Sequence, residues 1–249
     1  MFSRFKLNRI VMMLACIVIA WSLKYHYSHS SSDDLRWILA PTAYLVELTG
    51  DMNFEREINT GYVDQESGII IAPSCSGVNF MIIAFCLSVY VGLKNIKTTS
   101  MQFIWVIASI ISSYIYTLFV NAFRINLSIY SIKTEFLQSC FSAETVHLLE
   151  GVLVYFIFLL IYNYLLSRII NPALYLKPER NRSLKKILVL PLSFYLSFTL
   201  LVPVLNYGGF PQSNGFFKYT FIVLLSCSLV VVLLFLFRAC CHYAAVRVK

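Results

Sequence analysis

Apolar positions in this chain come in long unbroken runs. They show neither the three-and-four spacing of a surface helix nor the alternation of a half-buried strand. Such runs cover 77–93, 101–120, 148–167 and 217–237, and another over 187–205 is kinkable at Pro191 and Pro203. Each falls within the roughly 17 to 25 residues that cross a bilayer as a helix. A further apolar run, 10–23, follows Arg4, Lys6 and Arg9 and reads as a signal peptide or first membrane helix. The stretch after it, LKYHYSHSSSDD, holds no small-residue cleavage site, so an uncleaved anchor is expected. The pattern predicts an all-α integral membrane protein of about six transmembrane helices.

Between the anchor and residue 77 the pattern changes. Residues 35–48 are apolar but too short to span, and they contain Pro41; an interfacial or re-entrant helix is expected. The acidic stretch 51–71 is different again. Phe54, Arg56 and Ile58 alternate with other residues, and Asn59-Thr60-Gly61 is turn-rich, which predicts a small strand pair.

Composition strengthens the membrane reading. Of 249 residues 59% are hydrophobic and 13% charged, about half the roughly 25% charge of a soluble domain. The net charge of +8 reflects topology, not a nucleic-acid partner, because the basic residues sort by side. Alternating the six spans puts fourteen Lys and Arg on one side and six on the other (Lys24, Arg36, Arg56, Arg124, Lys133 and Lys218). The positive-inside rule makes the side of fourteen cytoplasmic, so both termini are expected inside. No motif for nucleic acid is present. Seven cysteines form no C-x-x-C pair and no Cys/His metal spacing, so no metal or cofactor is expected.

The stretch APSCSGVNF, 72–80, sets a thiol in a tight turn at the outer mouth of a span. On this topology Arg124 lies just past the outer end of the next span and His147 at the outer start of the one after. These residue types suit acyl transfer. A thiol at a helix N-terminus beside Arg or His is a ready nucleophile. Imidazole accepts the thiol proton and protonates a leaving amine. Guanidinium holds a carbonyl or an oxyanion. Gly77 permits close backbone approach, and Pro73 fixes the start of the turn. Glu150, one turn from His147, is placed to pair with the imidazole and orient it. Each residue also has a plainer role: Cys75 as packing, Arg124 snorkelling to lipid phosphates, His147 bonding to nearby backbone.

The ordered set C-S-G at 75–77, N-x-x-R-I at 121–125 and H-x-x-x-G at 147–151 resembles the exosortase/archaeosortase family over roughly residues 60–170. That resemblance implies a multispanning cysteine transpeptidase. Cys75 would be the nucleophile, His147 the acid/base and Arg124 the substrate or oxyanion stabiliser, with Asn121 matching the family's Asn and orienting the Arg. It implies partners too: exported proteins ending in a short motif, a hydrophobic helix and a basic tail. Many members are longer, with about eight spans. The expected division is an anchor at 1–24, an extracytoplasmic segment at 25–74, a catalytic core at 75–170 and a C-terminal helix pair at 171–249, in contact with membrane lipids. Two other classes compete. A thiol-redox protein would use Cys75 with Cys140, both on the outer side; a transporter or structural subunit would place charges mid-span, which only Glu150 approaches.

Overall fold

The computed structural model describes residues 2–50, 52–134, 142–170, 184–201 and 214–247. The chain opens with α1 (Phe2–His29), which continues past the anchor read from sequence, and a short α2 (Arg36–Glu47). Three strands follow: β1 (Phe54–Glu57), β2 (Gly61–Asp64) and β3 (Ile69–Ile71). A 3-10 turn, Pro73–Cys75, leads into α3 (Val78–Asn95), then α4 (Thr99–Thr134) and α5 (Ala143–Ile170). Next come α6 (Leu184–Leu196), which runs into a π-helical turn at Ser197–Leu201, and α7 (Asn214–Arg247).

Among the described residues, five helical segments are long and apolar enough to cross a membrane: Leu7–His29, Pro73–Asn95, Thr99–Ser131, Glu144–Ile170 and Gly215–Cys240. The run expected to make a sixth, 187–205, is here a shorter apolar helix, Leu188–Leu200; its last residues lie outside the described ones.

α3 is the hub, packed by α1, α4, α5 and α6. Its span is 83% buried, against 11% for α1 and 28% for α4. A helix apolar on every side is stable in that position, because each face has an apolar neighbour. The α3–α4 seam uses small residues. Gly92 lies so close to Trp105 that a Cβ would sit 2.0 Å from the indole. The indole Nε1–H donates to the Ser88 carbonyl at 2.9 Å, and the Ser88 and Ser109 hydroxyls bond at 2.8 Å. Close backbone approach and inter-helical hydrogen bonds hold helices together where lipid removes the hydrophobic drive.

The acidic segment folds as a meander of three antiparallel strands in the order β1-β2-β3, one more than the pair expected. Ile69–Ile71 lies at the end of the 51–71 stretch in which the pair was read, and three apolar residues in a row carry no alternation to mark a third strand. Asp64 anchors the second hairpin, accepting from the backbone N–H of Asn53 and Ser67 at 3.1 Å each and from the Ser67 hydroxyl. The expected short helix is α2, which packs on β1, β2 and α4. Glu47 ties it to the sheet by accepting from the Phe54 N–H at 2.7 Å. Lys24 Nζ donates to Asn79 Oδ1 at 2.8 Å, and Asn126 donates to Thr49 at 2.8 Å. The end of α1, the sheet, the start of α3, the end of α4 and the start of α5 therefore meet at one end of the bundle.

Candidate active site

Cys75 closes the 3-10 turn. Pro73 supplies the fixed φ of its first position, the Cys75 N–H donates to the Ala72 carbonyl at 2.8 Å, and the Ser76 N–H donates to the Pro73 carbonyl at 3.1 Å. Gly77 then takes φ +76°, a left-handed conformation that L side chains rarely adopt. A Cβ on Gly77 would also lie 3.1 Å from both Asn121 and Thr117 of α4. Glycine is required here twice over: to reverse the chain into α3, and to let α4 press against the Cys75 turn.

α4 presents a buried polar face at this end. Asn121 is fully buried. Its Nδ2 donates to the Cys75 carbonyl at 2.6 Å, and its Oδ1 accepts from the Tyr155 hydroxyl at 2.8 Å. Both ends of its amide are thus engaged on the turn and on α5. The Tyr155 ring in turn faces Arg124, the residue Asn121 was expected to orient. The Arg124 guanidinium carbon lies 5.5 Å from the centroid of that ring, within cation–π range. Arg124 is 6% exposed. Its head is turned into the bundle, not out to lipid phosphates. Nε and Nη2 of Arg124 are buried without a hydrogen-bond partner.

α5 completes the group. The His147 and Arg124 side chains both interact with the Cys75 thiol. Glu150 is buried, and its bond goes not to His147 directly but to Ser128 of α4: Ser128 Oγ donates to Glu150 Oε2 at 2.6 Å and lies 3.4 Å from His147 Nδ1. A hydroxyl that gives its proton to the carboxylate meets the imidazole as an acceptor. An ionised Glu150 would in this way favour the ring proton on Nδ1, with Nε2 as the basic nitrogen. The structure thus brings Cys75, Gly77, Asn121, Arg124, His147 and Glu150 together. It adds Ser128 and Tyr155, for which helix spacing was the available signal. Ser128 follows Arg124 by four residues, and Tyr155 follows His147 and Gly151 by eight and four, each on the same helix face.

Two cavities meet at these side chains. One, of about 560 Å³, opens among the helices and is lined by Lys24, Tyr27, Phe80, Arg124, His147 and Tyr195, among others. The other, of about 270 Å³, lies on the sheet side and is lined by Gly68–Ile71, Cys75, Arg124, Ser128 and His147. Arg124 and His147 border both. Among the described residues no cluster of His, Cys, Asp and Glu could hold a metal ion. Cys75 is a free thiol, and Cys140, its partner in the redox alternative, lies outside the described residues.

The chain matches the transmembrane exosortase family over residues 4–164, well over half of its 249 residues, and it belongs to that family. The match begins with α1 and takes in α2 and the sheet, so it is longer than the 60–170 legible from the motifs alone. No curated protein and no solved structure matches the chain.

Proposed function

Starting from membership of the exosortase family, we propose that this protein is a membrane-embedded cysteine transpeptidase or peptidase. It cleaves the C-terminal sorting signals of exported proteins on the outer side of the plasma membrane. One observation carries the reading: a free thiol in a glycine-braced turn shares its site with an imidazole and a buried guanidinium whose Nε and Nη2 have no partner. The charge asymmetry of the loops supports the outward orientation.

The chemistry follows from the placement. His147 takes the thiol proton, and the Cys75 thiolate attacks the scissile carbonyl. The oxyanion that forms needs donors. The Ser76 N–H already bonds Pro73, whereas Arg124 Nε and Nη2 are unpaired, so the guanidinium is the charged donor for it. The C–N bond then breaks, His147 protonates the leaving amine, and a thioester remains on Cys75. An acceptor, water or an amine, gives a proton to His147 as it attacks the thioester, and the thiolate departs. Ser128 and Glu150 hold the imidazole in the tautomer that these transfers need. Asn121 fixes the backbone of the turn from which the nucleophile projects.

The test is co-expression with an exported protein that ends in a short motif, an apolar helix and a basic tail. Cys75→Ala is expected to abolish its processing on a blot while leaving the enzyme inserted, and Cys140→Ser to spare it. Full processing by Cys75→Ala would remove the thiol from the mechanism.

A further inference from the structure

The two edges of the small sheet differ. β1 reads Phe-Glu-Arg-Glu, and its Arg56 is ion-paired with Asp33 at the end of the linker from α1. Charges of this kind guard an exposed edge against pairing with another chain. β3 reads Ile-Ile-Ile, with no charge and no proline inside it. Ile70 is 48% exposed. Among the described residues only β2 pairs with this strand. Because antiparallel residues alternate between hydrogen-bonded and non-bonded pairs, part of the β3 backbone turns its N–H and C=O to the outer edge.

That open edge lies in the active site. Gly68–Ile71 line the sheet-side cavity together with Cys75, Arg124 and His147. From Ile71 the chain runs through one extended residue, Ala72 (φ −86°, ψ 167°), straight into the turn that bears the thiol. We propose that β3 is the substrate-binding strand: an extended stretch of the exported polypeptide, next to the bond to be cleaved, pairs with its free edge as a fourth strand and so meets the Cys75 thiol. This rests on the peptidase reading above and adds how the peptide is held. Main-chain hydrogen bonds supply affinity with little regard to sequence, and alternate side chains of the added strand point to opposite faces. The short sorting motif is then read at every second residue.

The experiment uses the full-length enzyme in membranes and a tailed exported protein that it cleaves. In a semisynthetic series of that substrate, one backbone amide at a time within four residues of the cleaved bond is replaced by an ester. An ester lacks the N–H donor and carries a weaker acceptor. Strand addition predicts a loss of about 2- to 10-fold in kcat/KM at alternate positions on one side of the bond, and little between them. On the enzyme, Ile70→Pro, which removes a backbone donor, should raise KM well above that of Ile70→Thr, which keeps both the backbone donor and a β-branched side chain. Equal abundance of the two in the membrane controls for folding. If wild type fails to cleave the unmodified substrate in a Cys75-dependent way, the peptidase reading falls. If it cleaves the parent but the ester scan is flat, as it would be were a segment of the enzyme itself paired on β3, the strand proposal is overturned and the peptidase reading stands.

Discussion

Two polar clusters sit in the helix bundle, and they are built on opposite terms. In the cluster between α3, α4 and α5, the Ser88, Ser109, Trp105, Ser112 and Tyr162 side chains all bond: to one another, as Ser88 to Ser109 and Ser112 to Tyr162, or to backbone, as the Trp105 indole to Ser88. At the other cluster Arg124 keeps two buried nitrogens without partners and Glu150 keeps one oxygen so. Burying an unpaired polar atom costs on the order of 1–3 kcal/mol, more for a charged group. A fold tolerates that where a ligand or a reacting atom completes the set. In the first cluster the polar groups are satisfied and hold the helices together; in the second, Arg124 and Glu150 keep open hydrogen-bonding capacity beside the Cys75 thiol.

The largest effect that sharpens this contrast is expected at Arg124. Arg124→Lys keeps a cation but loses the planar fork with its several donors. Removing one donor from a developing oxyanion costs about 10²–10³ in rate. Cleavage normalised to inserted enzyme should therefore fall by roughly that factor with membrane abundance unchanged, and Arg124→Ala and His147→Ala should do at least as much damage. Near-wild-type cleavage by the Lys variant would make Arg124 an anchor and shift the oxyanion role to backbone.

The next effect concerns the relay. Ser128→Ala breaks the link between Glu150 and His147 without touching the thiol. Hydrogen bonds to charged groups contribute about 1.5–3 kcal/mol, so kcat should drop about tenfold or more while KM holds. A drop in membrane abundance with kcat per inserted enzyme unchanged would make Ser128 structural.

What was legible in the sequence follows from range. The Cys75 turn is local: Pro73, Gly77 and the apolar run are neighbours in the chain, and each forces its own geometry. Arg124 and His147 were expected at the ends of consecutive spans, but α4 runs on to Thr134, so Arg124 lies within that helix and not past its end. Ser128 and Tyr155 were not seen, since a serine or tyrosine inside an apolar helix looks like ordinary filler until a partner helix is in register. Glu150 was expected to pair with the imidazole directly; its bond goes instead to a hydroxyl on α4, which no spacing along α5 could reveal. β3 was missed for a different reason: three isoleucines closing the 51–71 stretch show no alternation, so only one strand pair was read there. The 187–205 run is helical through Pro191 as far as the described residues go, and its last residues, with Pro203, lie outside them.

The satisfied cluster should respond weakly and in the other observable. Ser109→Ala removes one inter-helical hydrogen bond from the α3–α4 seam. Such bonds average about 0.6 kcal/mol in membrane helices. Thermal stability in detergent should fall slightly and cleavage should stay at the wild-type rate. A cleavage defect as large as that of Ser128→Ala would erase the distinction between the clusters.

The smallest effect separates two buried carboxylates. Glu150 leaves an oxygen open in the site, whereas Asp64, in the sheet outside the spans, has both oxygens engaged by Asn53 and Ser67. The Ser67 hydroxyl and the two backbone N–H groups hold the Asp64 carboxyl below its usual range. Bonds that favour the ionised form in the folded state stabilise the hairpin wherever that form persists. The contribution is therefore fully present above the unfolded aspartate value of about 3.9 and is lost as pH falls through the lower, folded value. Hydrogen-exchange protection of residues 54–71 should decline on acidification below about pH 4, after correction for intrinsic exchange. Asp64→Asn, which cannot ionise, should begin with less protection at neutral pH and lack this part of the acid slope. An identical slope in the Asn variant would take the acid sensitivity of the sheet away from Asp64 and leave it a neutral-pH brace only.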